Sequence, residues 1–201
     1  MALALTACSG GTDRKDDRAG ISDARAVDAP FSPAQLKQAI PSRLAAPAGW
    51  GVTGPFADEG RQAEDKCAGQ RLPGCVGLTA TVTVDLVKSD SRGDTNVHFA
   101  LSAFDSLDNA RVRMKGELQD HQAKQADSTP LALDVPGAED TIAYAQSGGS
   151  GERFETARFR VGTVVVLLFA RGLPPDHDLA SFARLQAQRL AVAAENRNPD
   201  A

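Results

Sequence analysis

The apolar positions of this chain change period along its length, and each change predicts an element. After Phe31, Ser32-Pro33 opens a helix, with serine as N-cap and proline at the first helical position. Leu36 and Ile40 supply its buried stripe, and Pro41 stops it. Ala46-Pro47-Ala48-Gly49-Trp50 reads as an extended turn. Residues 51–74, rich in Gly and polar groups and without a period, read as a long irregular loop. Residues 78–87 alternate and are β-branched, hence a strand. Val97, Phe99, Leu101 and Ala103 alternate in a second strand, antiparallel to the first across the polar turn at 90–94. Ser106 then caps a helix whose apolar face carries Leu107, Ala110, Met114, Leu118 and His121. Its solvated side carries Arg111, Arg113, Lys115 and Glu117.

Beyond a loop at 127–137, Ile142 and Tyr144 mark a third strand, closed by Ser147-Gly148-Gly149-Ser150-Gly151. Residues 154–161 and 163–170 form a hairpin around Gly162. In its first arm Ala157, Phe159 and Val161 alternate with Arg158 and Arg160, which predicts one wet face. The second arm is apolar on both faces and belongs in the centre of the sheet. After Pro174-Pro175, Asp176 or Asp178 caps a last helix carrying Leu179, Phe182 and Leu190. The element order α–loop–ββ–α–βββ–α predicts an α+β domain over residues 31–196. Its sheet is expected to be mostly antiparallel, with about five strands and helices packed on one face. Residues 197–201 are expected to fray.

Composition narrows the function. With 42% hydrophobic residues in 201, the chain can bury a sizeable core. A net charge of -4 and a pI near 5.4 argue against nucleic acid, which selects a basic face. The longest apolar run, 164–170, is far shorter than a membrane span.

The three cysteines divide into two chemistries. Leu5-Thr6-Ala7-Cys8 matches the bacterial lipobox, and that match implies a lipid on Cys8 with removal of residues 1–7 as a truncated signal peptide. It departs from the pattern in having no basic n-region and a short apolar stretch, as a start assigned too late or a trimmed chain would produce. Residues 8–30 are polar and small, too poor in apolar surface to offset their ordering entropy, and read as a tether. A frayed terminus with an incidental cysteine is the plainer alternative. Cys67 and Cys75, with seven residues between them, read as a disulfide that pins the irregular loop. Their spacing suits neither a zinc site nor a Cys-x-x-Cys redox pair.

No catalytic constellation stands out. Residues 147–151 resemble a Gly-x-Ser-x-Gly elbow only in letters, because they join two strands rather than a strand and a helix. Glu139-Asp140 sits in a turn, each histidine is solitary, and Asp176-His177-Asp178 fits a helix cap better than a metal clip. No cofactor or metal is implied. Two features offer binding. Arg153, Arg158 and Arg160 form a basic stripe suited to an anion, unless each pairs with a carboxylate such as Asp85 or Glu155. Trp50 either lines a groove or plugs the core edge.

Leu36…Ile40-Pro41…Ala46-Pro47-Ala48-Gly49-Trp50, followed by a cysteine-bearing loop, resembles the opening of many actinobacterial lipoproteins. These are grouped with the PknH-like extracellular sensor domains of mycobacterial serine/threonine kinases. The resemblance continues in residues 104–110, 135–140 and 160–166, spanning about 34–192. It implies an envelope domain with an antiparallel sheet, disulfides and an unidentified ligand in a cleft. Those domains usually carry two disulfides, where this chain has cysteines for one beyond Cys8. The function expected is a non-catalytic ligand-binding or sensing lipoprotein on the outer face of the cytoplasmic membrane, anchored through Cys8. Its partner would be a small molecule, a cell-wall fragment or a protein. The alternative is a structural or accessory lipoprotein that docks an envelope complex.

Overall fold

The computed structural model describes residues 29–88, 95–124, 128–149, 151–175 and 177–201. Cys8, the residues ahead of it, nearly all of the proposed tether and Asp176 lie outside the described residues. Four helices, α1 (Pro33–Ala39), α2 (Arg61–Gly69), α3 (Leu107–Lys124) and α4 (Leu179–Ala194), accompany seven strands. These are β1 (Trp50–Glu59), β2 (Leu78–Lys88), β3 (Asn96–Phe104), β4 (Thr129–Pro130), β5 (Glu139–Ser147), β6 (Arg153–Val161) and β7 (Val164–Arg171). They form one antiparallel sheet in the order β1-β2-β3-β7-β6-β5-β4, with β7 at its centre as its two apolar faces require. The class is α+β, with seven strands where about five were expected.

The additional strands come from segments without a clean period. Residues 51–74 are not an irregular loop but β1 followed by α2. As an edge strand, β1 leaves most of its side chains in water, so no alternation was imposed on it. Its register shifts between Thr53 and Phe56, and Pro55 falls in that irregularity, where no ladder N–H is required. In α2 only Ala63 and Cys67 are buried.

The expected placement of the helices also needs correction: they cover both faces of the sheet. On the first face, α1 and α4 close a dry core. Val82, Val84 and Leu86 of β2, Phe99 and Leu101 of β3, Phe159 of β6 and Val166 of β7 meet Leu36, Phe182 and Leu190. Ser32 and Gln35 form a full capping box at the start of α1. At its other end the buried Arg189 of α4 donates to the carbonyls of Gln38, Ala39 and Ile40, satisfying acceptors that a helix terminus leaves open. Arg189 is neutralised by Asp200 at 2.7 Å, and Asp200 also accepts from Ser42 at 2.8 Å. The last residues, expected to fray, are thereby tied to the core.

The second face is covered differently. α2 packs on β1 and β2, and α3 crosses β3, β7 and β6. A small apolar cluster of Ala63, Leu78, Phe104, Ala110, Met114 and Val165 fills the angle between them. The inward side of α3 is Ala110, Arg113, Met114 and Glu117, whereas Leu118 and Val112 are exposed. Two charged residues assigned to solvent are therefore buried, and one assigned to the core is not. Phe169, on this face of β7, remains 36% exposed and stacks on Phe154 at 5.6 Å.

A candidate ligand cleft between two helices

The disulfide loop leaves α2 and packs against α3. Cys67 and Cys75 are bonded, with their Cα atoms 5.7 Å apart. From this bridge the loop presses Pro73 and Gly74 onto α3. A Cβ on Gly74 would lie 2.7 Å from Arg113 Cα, and one on Gly116 would lie 2.3 Å from Pro73 Cβ. Gly116 is otherwise unfavourable in the middle of an 18-residue helix, and this contact explains it. Arg113 completes the joint, donating to Pro73 O at 2.8 Å.

Beside this joint, residues of α2, the disulfide loop and α3 line a cleft of about 460 Å³ over the second face of the sheet. That volume suits a drug-sized ligand. Strand register builds its floor. In one row across the sheet, Phe56 pairs with Thr83, Thr83 with Ala100, Ala100 with Leu167, and Leu167 with Arg158. The small side chains of Thr83 and Ala100 form the trough. Phe56, 71% exposed, stands at one end and Leu72 of the disulfide loop at the rim.

Charge is concentrated on the α3 side. Glu117 is shared by two guanidiniums, lying 2.6 Å from Arg113 and 2.9 Å from Arg158. The Arg158 Nε contact is an ion pair without hydrogen-bond alignment, and Arg113 Nε is likewise buried without an acceptor. Burial lowers the Arg113 pKa from its ordinary value, Glu117 opposes that fall, and Arg158 adds to it. Arg158 also donates to Tyr144 Oη at 2.9 Å, and His121 stacks on the Tyr144 ring at 4.0 Å. Desolvation, then Arg158, holds the His121 pKa below the ordinary histidine range. On the α2 side Lys66 pairs with Asp58 at 2.7 Å. Counted along the lining, Lys66, Arg71, Arg113 and Arg158 outnumber Asp58, Glu117 and Asp120 by one positive charge.

The residues singled out from the sequence distribute unevenly about this cleft. Cys67 forms part of its wall and Arg158 part of its floor. The three arginines do not share one open face. Arg153 has the opposite strand parity to the other two and pairs with Glu155 at 2.7 Å. Arg160 is 2% exposed and holds Glu139 at 2.5 Å and Asp140 at 3.0 Å. Burial by itself would lower the Arg160 pKa, but these two partners outweigh it and raise it. Asp140 takes a left-handed φ of 52° there, a backbone state this double contact supports. Trp50 is 7% exposed in the α1/α4 core, edge-on to Phe182 at 5.3 Å, and it faces away from the cleft. Among the described residues no group of three or more His, Cys, Asp or Glu is placed to hold a metal ion.

Lys66, Arg113, Glu117 and His98 were not marked beforehand. A signal was present in the i,i+4 spacing of Arg113 and Glu117 around Met114, and in a glycine at 116 where helix propensity disfavours one.

These features define a class: an antiparallel sheet with a dry, helix-covered face and a second face opened into a disulfide-braced cleft. A solved protein has the same fold. The chain is similar to the extracellular domain of PknH from Mycobacterium tuberculosis, with a TM-score of 0.57 at 15% identity, over 84% of this chain and 98% of that one. The fold implied by the sequence resemblance is thus the fold found. No family model matches the chain, and no curated protein matches it.

Proposed function

We propose that the protein is a non-catalytic ligand-binding or sensing module of the cell envelope. A lipid on Cys8 would hold it to the outer face of the cytoplasmic membrane. The cleft carries this reading: about 460 Å³ of concave space over a floor of small polar and apolar side chains, with the Arg113–Glu117–Arg158 cluster converging on one side. Lys66, Arg113 and Arg158 are each held by a carboxylate, which fixes their place around the cleft. The fold shared with a domain described as extracellular supports the envelope location, as does the lipobox at residues 5–8. No helix among the described residues is long and apolar enough to cross a membrane.

Native mass spectrometry of protein purified gently from the envelope of its own host, beside a denatured control, tests the reading. It predicts extra mass that is lost on denaturation, separate from the covalent lipid on Cys8. A bare protein mass would refute it and favour the accessory role within a protein complex.

A further inference from the structure

The cleft has two features that seldom suit the same ligand atoms. Its floor and rim expose apolar groups to water, Phe56 at 71% and Leu72 at 38%, and an aromatic pair, Phe154 and Phe169, extends the same sheet face. On its α3 flank the guanidiniums of Arg113 and Arg158 share Glu117, with Asp120 further along the lining. The register row that starts at Phe56 ends at Arg158, crossing five strands, or roughly 19 Å at about 4.8 Å per strand spacing. Between the two ends lie only Thr83, Ala100 and Leu167.

We infer that the cleft takes an anionic amphiphile, its carboxylate or phosphate head against Arg158 and its apolar chain laid across Ala100 and Leu167 toward Phe56. This inference rests on the reading of the cleft as a ligand site and names the class of ligand. A second anion adds to Glu117 in offsetting the repulsion between Arg113 and Arg158, and guanidinium forks suit both head groups. A cationic head would add to the surplus positive charge. A wholly polar ligand would leave Phe56 and Leu167 against polar groups, and an inorganic anion would leave the trough empty. The chain, in turn, gains by removing Phe56, Leu72 and Leu167 from water.

Four probes with twelve-carbon chains, titrated calorimetrically below their micelle concentrations, separate head from tail. They are laurate, dodecyl phosphate, dodecyl maltoside and dodecyltrimethylammonium. Saturable one-site binding is expected for at least one anion, with the neutral and cationic heads about tenfold weaker or worse, the loss of one charge-assisted contact. Arg158→Gln should weaken the anion by about tenfold and level the four probes. Phe56→Ser, at an exposed position that folding does not depend on, should weaken every probe while keeping the anion preference. Four equal affinities, no binding by any anion, or anion binding indifferent to both substitutions would overturn the inference. A neutral or peptide ligand found in the cleft of native protein would overturn it too, while leaving the binding-module reading intact. The better anion distinguishes carboxylate from phosphate, and either result supports the amphiphile.

Discussion

The two faces of the sheet are built from the same strands by opposite rules. Under α1 and α4 the alternate residues of β2, β3 and β7, and of the second half of β6, are buried apolar groups. On the other side the residues between them include Thr81, Thr83, His98, Ala100, Ser102, Thr156 and Arg158, with Val165, Leu167 and Phe169 from β7, and a cleft lies open over part of them. A face meant only for stability would be filled, because voids forfeit contacts on every side. Here the first face supplies the packing, which lets the second hold buried ion pairs and open space. The comparison separates what folds the protein from what is available to a ligand.

The largest test of that division sets two phenylalanines against each other. Phe99→Ala, in the enclosed face, should cost about 3–5 kcal/mol in a denaturant melt. Phe169→Ala, a third exposed on the open face, should cost about 1 kcal/mol or less, the value of an aromatic pair near the surface. Equal losses would abolish the distinction. Next in size, replacing Cys67 and Cys75 together with serine should remove about 2–3 kcal/mol and loosen the joint of α2 with α3. Hydrogen exchange should then rise in α2 and the first turns of α3 before it rises in α1 or α4. Gly116→Ala is the sharper case. Helix propensity alone predicts a gain of about 1 kcal/mol, whereas contact with Pro73 predicts a loss of about 1–3 kcal/mol from overpacking. A stabilised variant would show that the disulfide loop does not seat on α3 as described.

The smallest effect is a titration. The folded pKa of His121 lies below its unfolded value, through burial and Arg158. Its contribution is therefore complete above about pH 6.5 and is lost as the pH falls below that toward the folded value, since the unfolded chain takes up the proton more readily. His121→Gln should flatten that slope of stability against pH. A slope unchanged by the substitution would place the titration elsewhere.

Periodicity made the enclosed face legible in advance. Val82, Val84, Leu86, Phe99, Leu101 and Phe159 alternate because each pair of neighbours meets opposite environments, and β7 reads as central because both of its faces are apolar. The open face was not legible by the same rule. β1 is an edge strand in water with no second face to alternate against, and α2 buries two small residues. Arg113 and Glu117 carry the letters of a solvated helix face and are buried only because the disulfide loop and Arg158 come to them from distant sequence. Trp50 illustrates the converse. Its turn-rich context suggested either a groove or a plug, and contact with Phe182 decides for the plug. The disulfide was readable from cysteine spacing, but that it forms one wall of the site follows only from where α3 lies.

In the proposed function, ligand recognition belongs to the open face. Hydrogen exchange measured on protein carrying whatever co-purifies from its host envelope, against the same protein stripped of it, tests this most directly. The account predicts protection confined to α2, the disulfide loop, the cleft side of α3 and the β2–β3–β7 floor, with α1 and α4 unchanged. Protection spread over α1 and α4, or absent from the cleft when a ligand is bound, would contradict it.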